Sequence, residues 1–499
     1  MQTLPELFRT GRPRDASAAP LLVAPSGAVI TYAEMDARSA QLAHVLRSTG
    51  VGRGDRVALQ IEKSALSVAL YLACLRTGAV FLPMNTAYTD DEVAYLVADA
   101  EPAVLVRAPE RAGLPGVIPF TADAQGAGDL ADAAAGQPAG FDDVEVSPND
   151  LAALLYTSGT TGRPKGAMLT QANLASNAAA LHGAWGFRPD DVLLHALPVF
   201  HAHGLFVAIN CVLANGTSMI FLPRFDVDVV LRHLPETTVF MGVPTFYSRL
   251  LADPRFDGAA CRRMRLFVSG SAPLLASTHA EMRRRTGHAI LERYGMTETT
   301  MIASNPLDDE RRAGTVGFPL PDVEVRVVDP ESGREQPQGE IGAVQVRGPN
   351  VFSGYWERPE LTATEFTDDG FFRTGDLGRF DANGYLCLVG RSKDLVISGG
   401  LNVYPPEVED VLDGLAGVVE TAVIGLPDAD LGEAVVAVVV AEPGVELDAA
   451  ALRAAARGRL AGFKVPKLVH IVDALPRNAM GKVEKAKLRE QFADPPAVA

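Results

Sequence analysis

Residues 156–166 read Tyr-Thr-Ser-Gly-Thr-Thr-Gly-Arg-Pro-Lys-Gly. Thr157, Ser158, Thr160 and Thr161 bring four hydroxyls, interleaved with Gly159 and Gly162. Glycine lets exposed backbone N–H groups curl around an anion, and hydroxyls add donors of small volume. Lys165 adds a mobile point charge. Such a loop is suited to holding phosphate, although it lacks the G-x-x-x-x-G-K-[ST] spacing of a Walker loop. A flexible surface turn would account for the glycines, but not for four hydroxyls followed by Pro-Lys-Gly.

Other clusters follow along the chain: 198–205 (Pro-Val-Phe-His-Ala-His-Gly-Leu), 269–273 (Ser-Gly-Ser-Ala-Pro), 294–299 (Tyr-Gly-Met-Thr-Glu-Thr), 374–376 (Thr-Gly-Asp), 390–394 (Gly-Arg-Ser-Lys-Asp), 398–402 (Ser-Gly-Gly-Leu-Asn) and 476–482 (Pro-Arg-Asn-Ala-Met-Gly-Lys). Elements must position them. Thr31 and Glu34 read as a capping box ahead of Met35, Leu42, Val45 and Leu46 at helical spacing, with Gly50 past the end. A strand at 56–61, a helix at 64–77 and a strand at 80–84 make one βαβ unit, whereas 108–150, rich in Ala, Gly, Pro and Asp, reads as loop with little regular structure. Apolar runs at 151–156, 192–197, 218–222, 238–243 and 265–268 alternate with helical stretches such as 204–213 and 227–234. That alternation predicts an α/β body with a mostly parallel, doubly wound sheet, whose ligands sit beyond the carboxyl ends of the strands.

After about residue 311, strands at 323–328, 340–347 and 385–389 without helices between them predict a small β subdomain. Beyond 391, helices at 407–415 and 449–460 with strands at 421–424, 434–440 and 468–472 predict a compact α+β domain. The expected domains are therefore 1–392, with its β subdomain at about 311–392, and 393–499.

The 499 residues carry 45 Lys+Arg against 61 Asp+Glu, a formal charge of −16. This balance argues against a nucleic-acid scaffold or an anionic-membrane binder. Anionic small molecules stay open, because a few cations and backbone N–H groups suffice for them. Cys74, Cys211, Cys261 and Cys387 form no C-x-x-C pair, which disfavours a disulfide framework or structural zinc and fits a cytoplasmic setting. The first twenty residues lack the apolar core of a signal peptide, and the apolar run 434–441 is too short to span a bilayer.

Taken in order, the clusters resemble the signatures of the acyl-adenylate-forming superfamily: acyl-CoA synthetases, peptide-synthetase adenylation domains and luciferases. The resemblance spans nearly the whole chain. It implies that a carboxylate attacks the α-phosphorus of ATP and expels pyrophosphate, after which the thiol of CoA attacks the acyl-adenylate and expels AMP. It implies that the 157–162 loop and Lys165 hold phosphate, that Thr297 holds the α-phosphate, and that Glu298 binds Mg2+. Tyr294, Gly295 and Met296, with Gly270, Ser271, Ala272 and Pro273, line the adenine slot, and Arg293 borders it. Asp376 and Arg391 contact the ribose; an interdomain salt bridge is the other reading of the two, and the roles need not exclude one another. Lys482 enters the site only for adenylation, so the last domain is a mobile cap with Lys393 as hinge. Ser398, Gly399, Gly400 and Leu401 then line the pantetheine tunnel. Acetylation of Lys482 by an acetyltransferase, reversed by a deacetylase, would remove its charge and silence adenylation.

Superfamily members that take fatty or aryl acids have apolar acyl pockets. Here His201, Ser271 and Arg293 fall where motif order places that pocket. A guanidinium beside a neutral acyl chain is costly to desolvate, but it matches a second carboxylate in a bidentate fork. The expected acid is a short dicarboxylate, malonate first and methylmalonate next, and the sequence looks close to the malonyl-CoA synthetases. Two points stay open: Arg293 pairing with Glu292 or another acidic residue instead, and His201 gating the pocket whatever the acid. Alternative functions are activation of another short-chain or aryl acid, a free-standing enzyme loading a carrier protein, a luciferase-like oxygenase, and a nucleotide-sensing binding protein, which has no use for Lys482.

Overall fold

The Thr31 hydroxyl accepts the Glu34 backbone N–H, and the Glu34 carboxylate accepts the Thr31 N–H at 2.8 Å. Helix Tyr32–Ser48 therefore starts where its capping box puts it, and Gly50 follows its end at φ 89°. This is a computed structural model describing residues 1–111, 113–158, 164–428, 430–478 and 481–493. It divides into two compact units, one formed by 1–324 with 346–372, the other by 325–345 with the segment from 373 on. The sequence reading groups both 325–345 and 373–392 with the N-terminal body.

The first unit holds two sheets. In the six-stranded sheet the order is Ile118–Thr121, Val104–Arg107, Arg56–Gln60, Val80–Pro83, Leu151–Ser158 and Pro164–Thr170. The first five run parallel and the last pairs antiparallel with its neighbour. In the nine-stranded sheet, Leu291–Tyr294, Leu266–Ser269, Val239–Gly242, Val192–His195 and Ser218–Phe221 form a parallel centre. Phe240, Tyr247, Phe256 and Phe267 fill one of its faces with Leu194 and Ile290. The fold is thus mixed α/β with largely parallel sheets, as expected.

Several local expectations need correction. Residues 108–150 contain a short strand, Ile118–Thr121, paired with Val104–Arg107 at the sheet edge, and a short helix, Asp129–Ala135, in the alanine-rich part. The 311–392 stretch contains helix Pro359–Glu365, opened by proline, and strand Phe372–Phe380, whose threonine, glycine and aspartate mask its alternation. Residues 204–213 begin as a π-helical turn, His203–Ile209, before helix Asn210–Asn215.

In the second unit, strand Gly432–Ala441 is central, antiparallel to Val418–Asp428 and parallel to Leu468–Val472. Val435, Ala437 and Val439 enter one core with Val408, Leu412, Leu452 and Ala456. Val436, Val438 and Val440 enter the other with Leu475 and Leu488, the latter from a helix, Lys485–Phe492, that the sequence reading missed. A strand buried on both faces explains the unbroken apolar run. No helix among the described residues is long and apolar enough to cross a membrane.

Thr31→Ala removes an N-cap whose loss costs about 1 kcal/mol. The expected outcome is a matching drop in the chemical-denaturation free energy of the N-terminal unit, with no change in ligand affinities.

Candidate active site

Strands Leu151–Ser158 and Pro164–Thr170 are antiparallel neighbours, with Thr157 opposite Lys165. Gly159, Thr160, Thr161 and Gly162 lie outside the described residues, as does the Ser158 side chain. Lys165 is not the mobile charge that the sequence suggested. Its side chain is 9 % exposed, with Nζ 4.4 Å from the Tyr355 ring centre and 3.7 Å from Glu365 Oε1. Strand pairing and an aromatic platform hold it.

The Tyr294–Thr299 cluster forms a tight turn after strand Leu291–Tyr294. Met296 N–H donates to Thr299 Oγ1 at 3.3 Å, Thr299 N–H to the Met296 carbonyl, and Ile302 N–H to the Tyr294 carbonyl. A Cβ on Gly295 would lie 1.8 Å from the Thr300 carbonyl oxygen, so only glycine fits there. Thr300 itself sits at φ 51°, an uncommon left-handed conformation for a β-branched residue. Tyr294 and Glu298 are buried, while Met296 and Thr297 are half-buried. The Tyr355 hydroxyl donates to Glu298 Oε1 at 2.9 Å. One tyrosine thus fixes the spacing of a cation, Lys165, and a carboxylate, Glu298. No spacing rule in the sequence pointed to Tyr355.

Arg293 is 4 % exposed, and its Nε and Nη2 have no hydrogen-bond partner among the described residues. Glu292, its chain neighbour, points to the other side of the strand and accepts from Gly314 N–H at 3.4 Å. The Arg293–Glu292 pairing left open above is therefore not formed. Burial pushes Glu292 up to about 8 and Arg293 down to about 9, so the guanidinium is charged at neutral pH and the carboxyl is mainly protonated. The guanidinium lies on Gly270, where a Cβ would come within 2.4 Å of Cζ. Ser271 follows at φ 70°, another left-handed non-glycine, with Oγ 3.3 Å from His203 Nδ1. Ala272 is half-buried and Pro273 exposed.

His203 is the member of this group that the sequence reading passed over; the His-Ala-His spacing was its only signal. It is buried, and its Nε2 has no partner among the described residues. Burial, then Arg293 and His201, hold its imidazole well below the ordinary histidine pKa, so it is neutral. His201 Nδ1 lies 3.4 Å from the His203 backbone nitrogen. The structure thus gathers Arg293, Ser271, His201 and His203 at the carboxyl ends of parallel strands, where an open α/β sheet binds its ligands.

In the second unit, Asp376 and Arg391 are cross-strand partners, with Arg391 Nε 2.9 Å from Asp376 Oδ1. Lys393 is exposed in the short turn Ser392–Asp394. Ser398 pairs with Leu401 across a two-residue hairpin whose tip, Gly399 and Gly400, has φ 60° and 76°. Two positive φ angles make the Gly-Gly pair a steric requirement. Lys482 donates its backbone N–H to Asn478 Oδ1 at 3.0 Å, and Asn478 N–H returns a bond to the Lys482 carbonyl. Arg477 fastens the same turn through the Gly481 carbonyl and the Glu420 carboxylate. Although Lys482 keeps solvent exposure, burial around its ammonium, then Arg391, lowers its pKa to about 8.

Comparison with known proteins identifies the family. A model of the AMP-binding enzyme family matches residues 11–356, and one of the AMP-binding enzyme C-terminal domain matches 407–482. The chain is 40% identical over 474 residues to a feruloyl-CoA synthase of Amycolatopsis sp., covering 93% of this chain and 94% of that protein. It is 36% identical over 515 residues to the mitochondrial malonate–CoA ligase of Mus musculus, covering 93% and 87%. The crystal structure of ATP-bound MatB from Rhodopseudomonas palustris superimposes with a TM-score of 0.96 at 52% identity, covering 99% of each chain. This chain belongs to the AMP-binding enzyme family, among its ATP-dependent, AMP-forming acyl-CoA ligases.

Proposed function

We propose that the enzyme is a malonate–CoA ligase that also accepts methylmalonate. The carrying observation is Arg293, a buried guanidinium with Nε and Nη2 unpartnered and no carboxylate among the described residues in ion-pair reach. Burying an unpaired charge is strongly unfavourable, and an acyl pocket that retains one is matched to a ligand that brings the counter-charge. Ser271 and His203 beside it add hydrogen-bonding capacity for the same carboxylate, with His201 adjoining. Sequence identity alone does not choose the acid, since relatives named for ferulate and for malonate score 40% and 36%.

In this reading one malonate carboxylate oxygen bonds to the α-phosphorus of ATP as the bond to pyrophosphate breaks. The CoA sulfur, after losing its proton, then bonds to the acyl carbon, and AMP leaves with the C–O electron pair. An anion approaching a polyanion needs cations placed where charge accumulates. Lys165 and the 157–162 loop serve the phosphates, Thr297 the α-phosphate, and Tyr294, Gly295 and Met296 with 270–273 the adenine. Asp376 and Arg391 serve the ribose. Mg2+ takes hard oxygen ligands and leans on substrate phosphates more than on a protein cage. Glu298, a buried carboxylate steadied by Tyr355, fits that use, and no cluster of three metal-ligating side chains occurs among the described residues. When bound, the ion neutralises phosphate charge. Lys482 serves adenylation, the Ser398–Leu401 turn the thioester half, and Lys393 the hinge between domains 1–392 and 393–499.

An acid panel in ATP–pyrophosphate exchange tests the reading directly: malonate supports exchange best, and a preference for ferulate would reject it. Arg293→Ala is expected to lower kcat/KM for malonate by about 100-fold, the scale of a lost buried charge pair. Use of a monocarboxylate should fall far less, and an equal loss for both acids assigns Arg293 to the fold or nucleotide. Lys482→Ala is expected to abolish exchange while sparing thioester formation from supplied malonyl-adenylate. Because the ammonium is the useful form, its charged fraction, and with it wild-type exchange, falls as pH rises through about 8. A flat profile across that range, or equal loss of both half-reactions, contradicts the role of Lys482.

A further inference from the structure

Lys63 is a buried lysine that the reaction as described does not use. It follows strand Arg56–Gln60 of the six-stranded sheet, and its Nζ lies 2.7 Å from His195 Nδ1 and 2.8 Å from the His195 carbonyl oxygen. His195 is the last residue of strand Val192–His195 in the other sheet. Its Nε2 is 2.8 Å from the Gly204 carbonyl oxygen. A carbonyl only accepts, so Nε2 carries the hydrogen, Nδ1 carries the lone pair, and Lys63 is the donor to it. The Lys63 nitrogen also rests 4.2 Å from the Phe221 ring centre. No carboxylate among the described residues pairs with Lys63, and burial holds its pKa far below the lysine range. Two of its hydrogens are spent on His195.

Gly204 follows His203 in the first turn of the π-helical segment His203–Ile209. That turn has no slack: a Cβ on Gly204 would fall 2.0 Å from the Pro198 carbonyl oxygen. Leu205 N–H bonds back to the His201 carbonyl at 3.0 Å. The position of the His203 imidazole, and so of the Ser271 and Arg293 group it faces, depends on where the Gly204 carbonyl is held. Single-turn π segments are frequent at functional sites because they re-aim a side chain at some cost in backbone bonding.

We propose that Lys63 and His195 are positioning residues for acid recognition, a relay from the six-stranded sheet through the Gly204 carbonyl that sets His203 against the substrate's second carboxylate. This deepens the malonate reading and rests on it for the identity of the acid, though not for the relay itself.

Lys63→Met keeps the chain length and removes both donors. In ATP–pyrophosphate exchange its KM for malonate should rise by at least about tenfold, with KM for ATP within about twofold of wild type. His195→Gln offers a carbonyl oxygen to Lys63 and an amide hydrogen to Gly204, so it should retain a near wild-type KM for malonate, whereas His195→Leu should match Lys63→Met. The double variant Lys63→Met/His195→Leu should be no worse than either single change, because both break one relay. Equal increases in both KM values, a fall in kcat alone, or a lowered melting temperature with unchanged kinetics would overturn the proposal and leave Lys63 a tie between sheets. If Lys63→Met fails to fold, the His195→Gln and His195→Leu pair decides by the same KM ratio. If wild type prefers another acid the malonate reading fails, and the ratio is then read with that acid, so the two ideas fall separately.

Discussion

A guanidinium sealed away from water beside a glycine is the constraint around which the first unit is organised. Arg293 stands at the carboxyl end of a parallel strand, against Gly270 at the end of the neighbouring strand. Any side chain at 270 would collide with it, and the next residue, Ser271, takes a left-handed backbone that most residues avoid. Strain of that kind persists only where the surroundings over-determine it. Here the over-determination comes from Gly270 beneath the guanidinium and His203 facing the serine hydroxyl. Among the described residues the fold tolerates a charge without a counter-charge, a strained serine and an orphaned imidazole nitrogen in one place. Such a combination is poor for stability and well suited to an anionic ligand.

The residues proposed to serve the nucleotide show the opposite strategy, in which charged groups are braced. Tyr355 lies under the Lys165 ammonium and bonds to Glu298, so opposite charges are held apart at set positions by one rigid ring. Around it Phe352, Phe366 and Phe372 stack edge and face. A braced cation and carboxylate suit a polyphosphate, whose own charges complete the network.

What could be read from the residue order follows this division. The capping box at Thr31, the βαβ unit at 56–84 and the apolar strands of both sheets are local patterns, and they appear where periodicity puts them. The strands lost to the reading were those whose partners, not their own residues, make them strands: Ile118–Thr121 at a sheet edge, and Phe372–Phe380 with its polar centre. In the candidate site, residues inside dense motifs could be singled out from the sequence, Arg293, Ser271 and Glu298 among them. Tyr355 was not, because it acts across a sequence distance of 57 residues from Glu298. Lys63 was not, because its partner is 132 residues away. Long-range polar pairing leaves no periodic trace.

The central strand of the second unit has a consequence for how the chain is made. Its valines are covered on one side by helices Pro405–Asp413 and Ala449–Arg457, and on the other by Lys485–Phe492, which is synthesised after both of them. Until that helix arrives, half of a β-prone valine row is bare, the kind of surface that nascent chains must hide from one another. Lys482 sits three residues before the same helix. Shielding of that face therefore waits on residues 485–492, and synthesis stalled before residue 485 leaves the row without them.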